Sequence, residues 1–116
     1  MRDIRERTLD FALRIIRLCQ QLDEQQGVGR TLGWQLLRSG TSIGANVEEA
    51  QAGQSKPDFI SKNAIALKEA RETIYWLRLL GASQIVPVSR LTELQAEADE
   101  LAKILGAIIV SAKKRK

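Results

Sequence analysis

Hydrophobic residues recur every three to four positions along almost the whole chain, and no stretch alternates with the period of two that is typical of a strand. We therefore predict an all-α chain. Its helices are expected over about residues 3–26, 30–52, 56–80 and 90–112. Helices of about 22 residues joined by short turns favour an antiparallel up-down-up-down four-helix bundle. The prediction is one domain over residues 1–112, followed by a basic tail, residues 113–116.

Capping signals mark the ends of these helices. Ser55 is predicted to cap the third helix, because Asp58 stands three residues further on, as in a capping box. Gly27, with Gly29 nearby, is predicted to end the first helix. Ser89 is predicted to cap the fourth.

The second predicted helix contains Gly40 and Gly44, one turn apart. A glycine inside a helix costs about 1 kcal/mol relative to alanine, so two of them need a reason. We predict that this face is kept bare so that another backbone can approach closely. Asn46 is predicted to bond to a neighbouring backbone, whereas the Ser39, Thr41 and Ser42 hydroxyls are predicted to bond to carbonyls of their own helix.

Several large apolar residues lie off the stripes that would close a single bundle. Trp34 lies on the Arg38 side of helix 2, and Ile65, Trp76 and Leu80 lie on the side of helix 3 that carries Glu69 and Glu72. Aromatic residues with arginine nearby are favoured in subunit contacts, which predicts self-association. Alternatively, both indole rings lie flat on the surface or wedge between helices. The predicted contact residues, within or between protomers, are Trp34, Arg38, Gly40, Gly44, Asn46, Ile65, Glu69, Glu72 and Trp76.

Histidine is absent and Cys19 is the one cysteine, which removes the commonest general base and the usual zinc ligands. Carboxylate di-iron bundles require Glu-x-x-His pairs, so Glu48, Glu49, Glu69 and Glu72 do not form one. Cys19 lies on an apolar stripe and is interpreted as a packing thiol. We predict no catalytic residues, cofactor, metal ion or small-molecule substrate. A metal-dependent bundle enzyme is the remote alternative.

The net charge of +4 comes entirely from the four basic residues of the tail, because the other basic residues equal the acidic ones in number. Arg7, Arg14 and Arg17 form a basic strip on one side of helix 1, and Asp10 lies among them and lowers its positive charge. An exposed strip and a solvated tail are the ordinary interpretation. If the chain forms a ring of identical subunits, however, the weak basic strip is repeated once per subunit and becomes multivalent. Nucleic-acid binding is therefore the alternative. The residues that would carry it are Arg7, Arg14, Arg17, Lys113, Lys114, Arg115 and Lys116.

The N-terminus is charged and no apolar run reaches about 18 residues, which predicts a cytoplasmic protein without a membrane segment.

The stretch LLRSGTSIGANVEEAQAG, followed by KPDFISKNAIALKEARETIYWLRLL, resembles a bacterial four-helix bundle family. That family is named for proteins encoded in intervening sequences of 23S ribosomal RNA genes, and it includes the accessory protein of diversity-generating retroelements. The likeness covers nearly the whole chain. The matching residues are Arg38, Ser39, Ser42, Ile43, Ala45, Asn46 and Glu49 in helix 2, and Phe59, Ile60, Lys62, Leu67, Glu69, Glu72, Thr73, Trp76 and Leu77 in helix 3.

The resemblance implies an antiparallel four-helix protomer in a homopentameric ring and a role that is not enzymatic. It also implies nucleic-acid binding and reverse-transcriptase contact in the retroelement branch, whose members are basic over the body, whereas this chain is neutral outside its tail. We predict a non-catalytic, homopentameric interaction scaffold. The alternative is a nucleic-acid-binding ring that is an accessory to a reverse transcriptase or associated with ribosomal RNA.

Overall fold

The computed structural model describes residues 2–53 and 55–115, and these form four α-helices with no strand among them. Their bounds are α1 (Ile4–Asp23), α2 (Val28–Gln51), α3 (Lys56–Ala82) and α4 (Val88–Lys114). The helices pack side by side into an elongated body of about 51 × 21 × 20 Å. The predicted all-α, four-helix fold is confirmed.

Contacts between helices show that neighbours in the chain run antiparallel. Gly33 of α2 lies against Leu22 near the end of α1, whereas Gly44 lies against Thr8 near its start. The same reversal relates α2 to α3, where Glu49 near the end of α2 pairs with Lys62 near the start of α3, and α3 to α4, where Gly81 near the end of α3 lies against Leu91 near the start of α4. The helices therefore follow the up-down-up-down order, and α1 and α4, which also touch, pack together far less extensively than the other neighbouring pairs.

Of the three caps predicted from the sequence, the structure confirms one and differs at the other two. Ser55 caps α3 as predicted, because its hydroxyl accepts a hydrogen bond of 3.2 Å from the Asp58 backbone N–H. Ser89 is not a cap, since α4 already begins at Val88, directly after the extended Pro87. The first helix ends at Asp23, and Gly27 instead precedes α2 with a positive φ of 92°, a conformation that glycine adopts readily.

One continuous core fills the bundle, and its largest fully buried side chains come from all four helices. Leu80 belongs to this core, so its predicted position off the main stripe of helix 3 is wrong. It lies three residues after Leu77 and therefore on the same helical face. The turn that follows α3 folds back over it, with the Val86 N–H donating to the Leu80 carbonyl at 3.3 Å.

Candidate interaction surfaces

An ionic network joins α2 to α3 on the outer side of the bundle. Arg38 donates from Nη1 to Glu69 Oε2 at 3.2 Å and from Nη2 to Glu72 Oε2. The same Glu72 oxygen accepts the indole N–H of Trp76 at 2.9 Å. The Glu69 residue is 8% exposed, whereas the Arg38 side chain is half exposed. The network therefore holds a nearly buried carboxylate with a cation that reaches in from the surface.

A second polar contact lies beside this network and is buried. The Thr73 hydroxyl lies 2.9 Å from Ser39 Oγ and 2.8 Å from the Glu69 carbonyl. Ser39 also bonds to the Leu36 carbonyl of its own helix. The Thr73 hydroxyl thus donates to Ser39 across the boundary between α2 and α3, and every buried polar side-chain atom in the described residues has a partner.

The structure brings Arg38, Glu69, Glu72 and Trp76 together. All four are among the predicted contact residues, but which of them pair was not predicted. Glu69 and Glu72 stand next to Lys68 and Arg71 in the sequence, but their partner is Arg38 on the neighbouring helix. Helical spacing indicates which residues share a face, not which facing helix supplies the opposite charge. The Ser39–Thr73 contact was missed for the same reason.

Asn46 and Ile65 lie outside the network. The Asn46 amide donates to the Ser42 carbonyl of its own helix at 2.9 Å, and among residues 2–53 and 55–115 it does not make the predicted bond to a neighbouring backbone. A helical carbonyl has a second lone pair, and the side-chain amide four residues later lies close enough to donate to it. Thr41 and Ser42 bond back to Leu37 and Arg38 carbonyls, as predicted. Ile65 stands one turn before Glu69 and is partly exposed.

Gly40 and Gly44 both face α1. A Cβ on Gly40 would lie 2.9 Å from Ile15 Cγ2, which is closer than real Cβ contacts come. On Gly44 it would lie 3.3 Å from Thr8 Oγ1 and 3.5 Å from the Thr8 carbonyl oxygen. The bare stripe therefore lets α1 and α2 approach each other within one protomer.

An apolar strip crosses the outer side of α1 and α2. We define it by Leu9, Leu13 and Ile16 of α1 and Trp34 of α2, all of them exposed; Leu9 is 60% exposed and Trp34 is 63% exposed. Ile16 and Trp34 border the same shallow pocket of about 170 Å³ between the two helices. The strip is therefore continuous across the helix boundary.

Sequence reasoning identified Trp34 as lying off the bundle face but did not identify Leu9, Leu13 and Ile16 of helix 1 as exposed. Apolar residues fill about half the circumference of that helix, whereas one bundle face needs an arc of about 100°. This apolar arc is wider than one bundle face can bury, which indicated that the residues at one edge of it are exposed to solvent. Periodicity alone could not tell which edge.

The basic strip of α1 is largely paired with α4. Arg7 makes two hydrogen bonds to Glu97, at 3.1 and 2.6 Å, and these hydrogen bonds raise the pKa of the Arg7 guanidinium above its ordinary value. Arg14 bonds to Glu93 at 3.0 Å, while Arg17 is exposed. Lys113, Lys114 and Arg115 are exposed at the end of α4, and Lys116 lies outside the described residues. The strip thus carries less free positive charge than the sequence indicates.

Cys19 is buried, with its thiol 3.3 Å from the Gly33 carbonyl oxygen, to which it donates. Burial raises the pKa of this thiol to about 11. No group of three histidine, cysteine, aspartate or glutamate side chains in residues 2–53 and 55–115 is arranged to hold a metal ion. In the same part of the chain, no helix combines the length and the apolar character needed to cross a membrane.

The raised pKa of Cys19 predicts a pH dependence of stability. The folded state favours the protonated thiol, so this contribution is complete below about pH 9 and is lost as the pH rises towards 11. We expect the difference in unfolding free energy between the wild type and Cys19→Ala to fall by about 2–3 kcal/mol over that interval. Urea unfolding of both proteins at each pH measures it, since other titrating groups cancel in the difference. A constant difference would contradict the prediction.

The four-helix fold is closely similar to that of a solved structure. A crystal structure of a protein with unknown function from the S23 ribosomal protein family of Bacteroides thetaiotaomicron has a similar fold, with a TM-score of 0.86 and 41% sequence identity. The alignment covers 92% of this chain and 98% of that one. No protein of curated function matches. Residues 2–107 match the 23S rRNA-intervening sequence protein family, and the chain therefore belongs to that family.

Proposed function

We propose that this protein is a non-catalytic, homopentameric four-helix bundle that acts as an interaction scaffold. The observation that carries the proposal is the exposed apolar strip, Leu9, Leu13, Ile16 and Trp34. Contiguous apolar patches on a protein surface mark interaction sites, whereas single exposed apolar residues are ordinary. Copies of the chain that cover this strip would remove it from water, and the resemblance to the family supplies the number five.

The chemistry of the side chains supports a role without catalysis. The chain has no histidine, and its one thiol is buried with a raised pKa, so neither of the common nucleophile–base pairings can form. Glu69 and Glu72, the carboxylates nearest to one another on α3, are engaged by Arg38. The α2–α3 face therefore presents paired charges together with the indole ring of Trp76.

Nucleic-acid binding has weaker support as a second function. Arg7 and Arg14 each have a carboxylate partner on α4, which cancels their charge within the protomer. Arg17, Lys113, Lys114 and Arg115 are exposed, and a few cations per subunit give affinity only through repetition around a ring. The proposal of a scaffold therefore stands first.

Changing the strip should change the mass of the assembly. We expect Trp34→Glu to shift the wild-type protein from a pentamer towards a monomer at micromolar concentration, because the new charge would be buried in the subunit contact. Multi-angle light scattering after size exclusion measures this mass, and circular dichroism verifies that the helices persist.

Val110→Glu is the matched control, since Val110 is 53% exposed on α4 and lies outside the strip. It should leave the mass unchanged. A wild-type mass equal to one chain would overturn the proposed assembly. An unchanged pentamer in Trp34→Glu would remove the strip from the subunit contact.

A further inference from the structure

A groove opens at the end of the bundle where α2 ends and α3 begins. It has a volume of about 510 Å³. Residues of α2, α3 and α4 line it, and no described residue of α1 does; the lining residues used below are Phe59, Ile104, Ala107, Ile108, Ala112 and Arg115. Arg7, close to the start of α1, pairs with Glu97, whereas α4 continues from there to Lys114. At this end, the described part of α1 does not reach the groove, which is lined by residues of α2, α3 and the end of α4.

The floor of the groove is apolar and helical in pattern. Ile104, Ala107 and Ile108 follow one another at the spacing of one helical face, and Ala112 continues it one turn later. Phe59 contributes from the first turns of α3 and is only partly buried. From Ile104 to Ala112 the floor is roughly 12 Å long, which matches about two turns of a docked helix.

The charges at the rim all have one sign. Arg115 borders the groove, and Lys56 borders a smaller depression that continues it past Phe59 and Ala112. Among the described lining residues of both cavities there is no aspartate or glutamate. An occupant with matching chemistry would be apolar on the side that meets the floor and negatively charged on its flanks.

We propose that this groove binds an acidic amphipathic helix of a partner protein, which packs on the last turns of α4, where no described residue of α1 lies. Helices of this kind dock into apolar grooves through residues at positions i, i+3, i+4 and i+7. Such a helix would meet the floor with its apolar residues and place its carboxylates beside Lys56 and Arg115. The proposal extends the scaffold role proposed above by naming a class of partner, and it does not require the pentamer.

The test uses the full chain and a fluorescein-labelled synthetic peptide of fourteen residues. The peptide carries leucines on one helical face and glutamates on the other, and a second peptide carries lysines instead of the glutamates. Fluorescence anisotropy should show that the wild type binds the glutamate peptide at least tenfold more tightly than the lysine peptide. Ile108→Glu should weaken binding of the glutamate peptide at least tenfold, whereas Val110→Glu should change it less than twofold.

Further arms separate the other occupants and the earlier proposal. Trp34→Glu should bind the peptide like the wild type, even as a monomer, so failure of the pentamer would leave this result intact. Equal binding by Ile108→Glu and Val110→Glu, or equal binding of both peptides, would overturn the proposal. A fall in assembly mass for Ile108→Glu would assign the groove to a second copy, and binding to phosphatidylserine vesicles that Ile108→Glu abolishes would assign it to a membrane. Either result would also overturn it.

Discussion

Gly40→Leu is expected to lower the free energy of unfolding by about 3 kcal/mol, because it overpacks the contact between α1 and α2. The first added carbon alone would lie 2.9 and 3.0 Å from two side-chain carbons of Ile15. Ile15 is fully buried and β-branched, so it has no free rotamer into which it could retreat. Helix propensity favours leucine over glycine by about 1 kcal/mol, which offsets only part of the steric cost. Urea unfolding followed by circular dichroism measures the change.

Gly106→Leu is the matched control. Gly106 also lies inside a helix, α4, but a Cβ there would meet nothing within 4 Å. The same substitution should therefore be neutral or stabilise by up to about 1 kcal/mol. All variants are compared at one protein concentration, since assembly would make stability depend on it. Equal losses at Gly40 and Gly106 would show that the close approach at Ile15 does not limit side-chain size.

A double substitution locates the cost at one contact. Ile15→Ala by itself creates a cavity, but the leucine of Gly40→Leu can occupy part of that space. The double variant should be more stable than the sum of the two separate losses predicts. Additive losses would place the strain of Gly40→Leu elsewhere in α2.

The helices could be predicted from the sequence because periodicity and turn residues act locally. Ser55 and Asp58 fix the start of α3 within four residues, and nothing distant has to be known. Ser89 misled because a serine before an apolar run is a local signal as well, and Pro87 sets the start of α4 two residues earlier. Errors of this kind move a boundary without changing the fold.

The pairing of side chains between helices could not be predicted in the same way. The exposed position of Trp34 follows from its place on the helical wheel, whereas the partner of Arg38 depends on how far α2 and α3 slide past each other. Arg38, Glu69 and Glu72 are among the residues that match the family, but only the structure shows that they are in contact.

Arg38→Met is expected to lower the free energy of unfolding by about 2 kcal/mol. It leaves the Glu69 carboxylate, whose side chain is 11% exposed, without the cation that compensates its burial. Removing one partner of a fully buried pair costs about 3–5 kcal/mol, and the half-exposed Arg38 places this pair below that range. The substitution keeps most of the apolar stem of the arginine, so lost packing contributes little. Urea unfolding measures the loss, and light scattering at the same concentration reports whether the assembly changes.

Arg14→Met tests whether the cost of removing an arginine depends on the burial of its carboxylate partner or on the distance between the two groups. Arg14 lies 3.0 Å from Glu93 and Arg38 lies 3.2 Å from Glu69, but the Glu93 side chain is 86% exposed. Water already solvates Glu93, so removing Arg14 should cost less than about 1 kcal/mol. Arg38→Met combined with Glu69→Met removes both charges and should recover most of the loss, since a buried pair can often be replaced by apolar side chains. Equal costs for Arg38→Met and Arg14→Met would mean that Glu69 reaches solvent in solution, and the α2–α3 network would then be a surface pair rather than a fixed part of the bundle.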